Sequence, residues 1–177
     1  DAEAKRIMKE AADRGSVMHE MLERYVHTNN FDTPAHDAPI AHKMANLIIS
    51  KGFIYLDEVW GIEQNIAYPE EYAGTIDCVG LYKKKPTILD FKQTNKPKRE
   101  EWVEDYYLQL AAYICAHEKQ YGEINGGTIL MASTGLVFQE FELSGSKLSE
   151  YKDKWWQRVE DFKTNHALPL QASSQKV

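Results

Sequence analysis

The apolar residues of this chain change period twice, and no all-helical or all-strand fold accommodates both changes. Between residues 3 and 28 they fall at Ile7, Met8, Ala11, Ala12, Met18, Met21, Leu22, Tyr25 and Val26. Spacings of three and four place them on one stripe of an amphipathic helix, with an interruption expected at Gly15-Ser16. Asn29 to Pro39 has two prolines among Asn and Asp residues and reads as a loop; Ala41 to Ser50 reads as a second helix closed by Gly52. From Tyr55 the pattern becomes short segments rich in β-branched and aromatic residues: Tyr55–Tyr68, Gly74–Tyr82 and Thr87–Thr94. Helical spacing returns over Glu101–Tyr121, with Val103, Tyr106, Tyr107, Leu110, Ala111 and Ile114. Two further strands follow, Thr128–Ser133 and Leu136–Leu143, with a tight turn at Thr134-Gly135, and then a closing helix over Leu148–Asn165. The order is helices, three strands, a helix, two strands, a helix. It predicts an α/β or α+β domain, a central mixed sheet of about five strands flanked by helices.

The length of 177 residues suits one domain, taken as residues 1–168, with a helical part at 1–52, a core at 53–168 and a tail at 169–177. The chain opens inside a charged, helix-like stretch, Asp1 to Glu10, which reads as a start cut into a longer chain. No apolar run approaches the roughly 20 residues needed to span a bilayer. The two cysteines, Cys78 and Cys115, sit in apolar surroundings and read as small buried side chains. They are too few for a four-cysteine zinc or iron–sulfur site, and a reducing, intracellular setting, cytoplasmic or organellar, fits them.

A net charge of −6 argues against a polyanion ligand until its distribution is read. Lys83, Lys84, Lys85, Lys92, Lys96, Lys98 and Arg99 face one acid, Asp90, across residues 83–99, so this segment carries +6 and the remainder −12. Such a run either holds a phosphate backbone or is a solvated lysine-rich loop.

The strongest chemical signal is Ile88-Leu89-Asp90-Phe91-Lys92. In a strand, Asp90 and Lys92 project to one face while Leu89 and Phe91 project to the other. Read alone, the pair fits a surface salt bridge as well as a site. Gly74-Thr75-Ile76-Asp77 ends thirteen residues earlier, a separation that lets two antiparallel strands, joined by a turn at Lys83–Pro86, set Asp77 beside Asp90. Two adjoining carboxylates repel unless a cation bridges them, and a hard divalent ion suits oxygen ligands. Gly74 would leave room for backbone or substrate. His19 lies four residues past Gly15 in Arg14-Gly15-Ser16-Val17-Met18-His19, with Glu23 a turn beyond. Gln109 and Tyr113 share a helical face, and Glu63 lies in the strand before Asp77. Structural roles account for each of these residues taken singly.

Taken in order, Gly15–His19, Glu63, Gly74–Asp77, Asp90–Lys92 and Gln109–Tyr113 resemble the motifs of RecB-like nucleases of the PD-(D/E)XK superfamily, over about residues 14–165. Ile76 stands where the superfamily name has proline, and the cysteines of its cluster-binding branch are missing, so the resemblance is to the cluster-free branch. The resemblance implies a restriction-endonuclease-like core and hydrolysis of DNA with one or two Mg2+ or Mn2+ ions and no iron–sulfur cluster. It implies Asp77, Asp90, the Phe91 carbonyl and His19 as metal ligands, with Glu63 joining them through water or a second ion. Lys92 would act on the attacking water and phosphate, with Gln109 and Tyr113 in support. Arg14, Ser16, Lys96, Lys98, Arg99, Trp102 and Tyr106 are expected at the substrate, the rings as surfaces for unpaired bases, along with Tyr107 unless it packs in the core. The N-terminal helices resemble the part that arches over single-stranded DNA in that family, which points to exonucleolytic digestion of single-stranded ends. A structure-specific endonuclease, a non-catalytic nucleic-acid-binding module and a hydrolase of small phosphorylated molecules are the alternatives.

Overall fold

A computed structural model describes residues 1–29 and 38–166. The expected loop from Asn29 to Pro39 falls mostly outside the described residues, and the expected tail at 169–177 falls wholly outside them. The first helix, α1 (Ala2–Thr28), starts at an Asp1 cap whose side chain accepts from the Glu3 N–H at 3.1 Å and ends at Asn29 with φ 54°. It runs unbroken through Gly15-Ser16, contrary to the expected interruption. Gly15 serves a contact instead: a Cβ there would lie 3.2 Å from Gln93 Cγ, so glycine lets α1 settle onto the sheet. The helix α2 (Pro39–Lys51) begins on proline and ends at Gly52, which is right-handed (φ −105°) instead of the usual left-handed cap. A side chain at Gly52 would press within 2.8 Å of the Ile48 carbonyl and Leu130.

Five strands follow the expected order: β1 (Leu56–Tyr68), β2 (Tyr72–Tyr82), β3 (Lys85–Thr94), β4 (Gly126–Ser133) and β5 (Phe138–Ser144). They form one mixed sheet in sequence order, antiparallel except for the parallel pair β3–β4. The parallel pair needs a crossover, and α3 (Glu104–Gln120) provides it. The expected helical start at Glu101 is instead a short 3-10 turn over Glu100–Trp102. The β2–β3 turn is tighter than expected, with Lys83 and Lys84 both at positive φ and Lys85 and Pro86 already paired to β2. The turn after β4 runs longer than Thr134-Gly135, through Leu136 at φ 62°, before β5 begins. The closing helix, α4 (Gly145–His166), starts three residues earlier than its apolar pattern.

The sheet separates two cores. Ile88, Ile129 and Met131 pack with Val103, Tyr107, Leu110, Ile114 and Leu148 on the α3–α4 side. Leu89, Phe91, Leu130 and Ala132 pack with Met18, Leu22, Met44 and Ile48 on the α1–α2 side. Every residue of β4 is buried, as expected of a central strand covered on both faces. No helix among the described residues is long and apolar enough to cross a membrane. Cys78 is fully buried and Cys115 partly so; burial pushes the Cys78 thiol up to about 12.

Candidate active site

β2 and β3 separate at one point, and the candidate residues collect there. Their pairing runs from Tyr82↔Lys85 to Cys78↔Leu89 and stops. Beyond it, Tyr72–Ile76 pairs with β1 while Asp90–Thr94 pairs with β4. The strands fork, and Asp77 and Asp90 are the first residues past the last pair. The fork leaves the backbone N–H and C=O of Phe91 without a strand across from them. Side chains take both: the Phe91 N–H donates to Asp77 Oδ2 at 2.8 Å, and His19 Nε2 lies 2.7 Å from the Phe91 carbonyl oxygen. A carbonyl only accepts, so Nε2 carries the proton, and in the neutral ring Nδ1 presents a lone pair. That Nδ1 is 3.6 Å from Asp77 Oδ1.

Glu63 faces the same point from β1. It occupies the gap between the Ile62↔Cys78 and Gln64↔Ile76 pairs, opposite Asp77, and its φ of 47° is uncommon for a non-glycine residue. β2 breaks its alternation there as well, because Ile76 joins the α3–α4 core and Cys78 the α1–α2 core. One ligand atom each from His19, Glu63 and Asp77 lies within 4.8 Å of the others. Asp90 is not in that triad. It is 4% exposed, and its Oδ2 lies 3.1 Å from Lys92 Nζ without the alignment of a hydrogen bond, so among the described residues this buried carboxylate oxygen has no aligned donor. Burial first, and the charge of Asp90 second, push the Asp77 carboxyl up to about 8 despite the Phe91 N–H. The fork thus holds more negative charge than it neutralises, and its donors are the oxygens and imidazole nitrogen that suit a divalent ion.

Lys92 points with Asp90 to the α3 side, as strand alternation predicts. Its ammonium donates to Gln109 Oε1 at 3.0 Å, and Gln109 Nε2 donates to the Tyr113 hydroxyl at 2.9 Å. The Tyr106 ring lies 4.7 Å from the same ammonium. Burial opposes the charge on Lys92, but Asp90, with Asp77, outweighs it and raises the pKa, so Lys92 is a cation at neutral pH. The space at Gly74 is taken by the ring of Tyr113, which sits where a Cβ would come within 2.6 Å of it.

An open cleft of about 470 Å³ lies over the fork on the α1 side, lined by Gly15, Ser16, His19, Glu20, Glu63 and Gln93 among others. Arg14, next to Gly15 on α1, donates to Gln93 Oε1 at 3.0 Å and to Asn95 Oδ1 at 2.6 Å. Lys96, Lys98 and Arg99 follow β3, with the Arg99 guanidinium 5.3 Å over the exposed Trp102 ring. Tyr107 is no stacking surface: it is 1% exposed, inside the α3–α4 core. The basic run is not one patch either. Lys83–Lys85 lies at the hairpin end of the ten-residue β3 and Lys96–Arg99 at the other, about 30 Å apart at roughly 3.3 Å per residue. Lys83 is matched by Glu140 at 2.9 Å and Lys84 by Asp57 at 3.5 Å. Gln93, Asn95 and Gln139 escape the sequence reading; an amide has no charge to draw notice, and only its neighbours in space reveal its use.

The fold and the fork together define a class: mixed-sheet α+β domains in which two central strands part over acids, a histidine and a lysine. No family model matches the sequence. Over 113 residues, 59% of this chain, it is 31% identical to mitochondrial genome maintenance exonuclease 1 of Xenopus tropicalis, covering 32% of that protein. Over 96 residues, 51% of this chain, it is 31% identical to the Homo sapiens protein of the same name, covering 28% of it. The matches thus span about a third of the length of these relatives. The fold is similar to the crystal structure of a protein from Eubacterium rectale, with TM-score 0.59, 15% identity, and 88% of this chain and 65% of that one covered.

Proposed function

We propose that this chain is a nuclease domain that hydrolyses DNA phosphodiester bonds with Mg2+ or Mn2+ and works from single-stranded ends. The observation that carries this reading is the fork, where Asp77 and Asp90 adjoin with Lys92 beside one and His19 and Glu63 beside the other. The name of the relatives, exonucleases of a mitochondrial genome, supports the activity and a DNA substrate.

The donor set fits a divalent ion on three grounds: the clustered atoms of His19, Glu63 and Asp77, the buried Asp90 oxygen without an aligned donor, and the raised Asp77. Asp77, Asp90, Glu63 and His19 would hold the ion, and the Phe91 carbonyl would join them through the lone pair that its bond from His19 leaves free. A bound ion supplies Lewis acidity and acidifies water. The residues themselves do the positioning. Lys92 keeps its charge and offers donors to a non-bridging phosphate oxygen and to an incoming water. Gln109 and Tyr113 fix the direction of its ammonium. Trp102 stands exposed for an unpaired base; Tyr106 covers Lys92 and limits water around it.

The test is a time course on single-stranded oligonucleotides labelled at either end, with Mg2+, Mn2+ or chelator. Cleavage is expected with either metal and not with chelator. Asp90→Asn and Lys92→Ala are each expected to lower the rate by about 100-fold or more while the oligonucleotide still binds. Cleavage near the wild-type rate in either variant, or undiminished in chelator, removes the proposed roles.

A further inference from the structure

Resting on the nuclease reading, we propose a second phosphate subsite beside the fork. In it Arg14, with Lys96 and Lys98, grips a phosphodiester flanking the cut, and Gln93, Asn95 and Gln139 are its positioning residues. Many other cations of the molecule are matched by acids. Lys83, Lys84, Lys147, Lys152, Lys154, Lys163 and Arg158 each lie against a carboxylate. The acids nearest Arg14 on α1 are already taken, Glu10 by Arg6 and Asp13 by Lys9, both at 2.6 Å. Among the described residues, Arg14, Lys96 and Lys98 have no carboxylate within ion-pair distance, and neither do Lys5, Arg24, Lys43, Lys51, Lys85 and Lys119. What distinguishes this cluster is that side-chain amides hold it beside the fork.

Among the described residues, neutral groups hold this cluster in place. Arg14 donates to the amide oxygens of Gln93 and Asn95, which fix a fork of the guanidinium and leave its charge uncancelled. The loop that follows β3 is fixed in the same manner. Gln139 accepts from the Lys98 N–H and donates to the Lys98 carbonyl, both at 2.8 Å. The Thr94 hydroxyl donates to the Lys96 carbonyl at 2.9 Å, and the Thr134 hydroxyl to the Asn95 carbonyl at 2.9 Å. A clasp whose work was only to tie α1 to the sheet would gain from a carboxylate facing Arg14. A site for an external anion requires that none be there. Gln93 also lines the cleft over His19 and Glu63, which sets the subsite next to the fork. Arg14 comes from a helix 79 residues away from Gln93 in sequence, so the subsite exists only in the folded chain.

Asn95→Asp separates the two roles, because it keeps the acceptor for Arg14, strengthens that bond and cancels the charge. Affinity for a single-stranded oligonucleotide is read by fluorescence anisotropy in chelator across a salt series, with thermal unfolding alongside. Asn95→Asp is expected to unfold no lower than wild type, yet to bind about tenfold more weakly, with a log–log salt slope shallower by about 0.7. Gln93→Glu is expected to act likewise and serves if Asn95→Asp does not fold. Arg14→Gln is expected to give the same shallower slope. Wild-type affinity and slope in the carboxylate variants, with wild-type cleavage intact, overturn the subsite and leave the nuclease reading standing. A wild-type chain that neither binds nor cuts the oligonucleotide overturns both.

Discussion

Asp77 meets two opposed demands. Its Oδ2 must accept the Phe91 N–H at the fork, while burial and the Asp90 charge raise its pKa from 3.8 to about 8. Between those values the folded chain keeps a proton that the unfolded chain releases. The stability from this group is therefore complete below about pH 4 and is lost as pH rises through about 8. Asp77→Asn is neutral at every pH. In chelator its Tm is expected to exceed that of wild type at pH 8 and to converge with it near pH 4. Each tenfold change in proton affinity corresponds to about 1.4 kcal/mol, a few degrees in a chain of this size. Added Mn2+ is expected to reverse the order, stabilising wild type and leaving the variant unmoved. Superimposable profiles in chelator would mean that the fork carries no surplus charge. Asp77, Asp90 and Lys92 were legible in the sequence because charged residues on otherwise apolar strands demand a reason. Gln93, Asn95 and Gln139 were not, because their bonds reach across 79, 81 and 41 residues and an amide suits almost any surface.

Among the elements, β1 and β2 depend on two glycines in different ways. The register of β1 shifts on either side of the Glu58↔Leu81 and Val59↔Gly80 pairs, and a Cβ on Gly80 would lie 2.0 Å from the Glu58 carbonyl oxygen. Backbone cannot move aside cheaply, so Gly80→Ala is expected to cost about 2–3 kcal/mol in urea unfolding. A loss below about 0.5 kcal/mol, the range of neutral surface changes, would contradict the bulged path of β1. Gly74→Ala meets a side chain instead, the Tyr113 ring. It is expected to cost less stability but to break the Gln109–Tyr113 link, slowing cleavage while oligonucleotide affinity holds. Equal cleavage rates would remove Tyr113 from the support of Lys92. The order and kind of the elements were legible because periods of two and 3.6 bury different stripes. The parallel pairing of β3 with β4 and the unbroken path of α1 through Gly15 were not. Both are decided by which surfaces meet, and period does not record that.

At the scale of the whole molecule, the charge that matters is set by folding. The basic run at residues 83–99 reads as one patch, but β3 carries its two ends apart and the hairpin end is matched by Glu140 and Asp57. A nucleic-acid strand over the fork would meet Arg14 and Lys96 on one side, and Glu20, Glu23 and Glu63 in the cleft. Without a cation those acids would repel the phosphates that, on the proposed reading, the basic loop attracts. Replacing chelator with Ca2+ at constant ionic strength is therefore expected to tighten oligonucleotide binding. Glu63→Gln is expected to tighten it in chelator, by about fivefold, since one unit charge at contact range is worth about 1 kcal/mol even in water. The two effects share a cause, so the gain from Ca2+ must be smaller in Glu63→Gln than in wild type. Were the variant to gain as much from Ca2+ as wild type does, Glu63 would lie outside the field that the ion corrects. The triad of His19, Glu63 and Asp77 would then be a structural cluster.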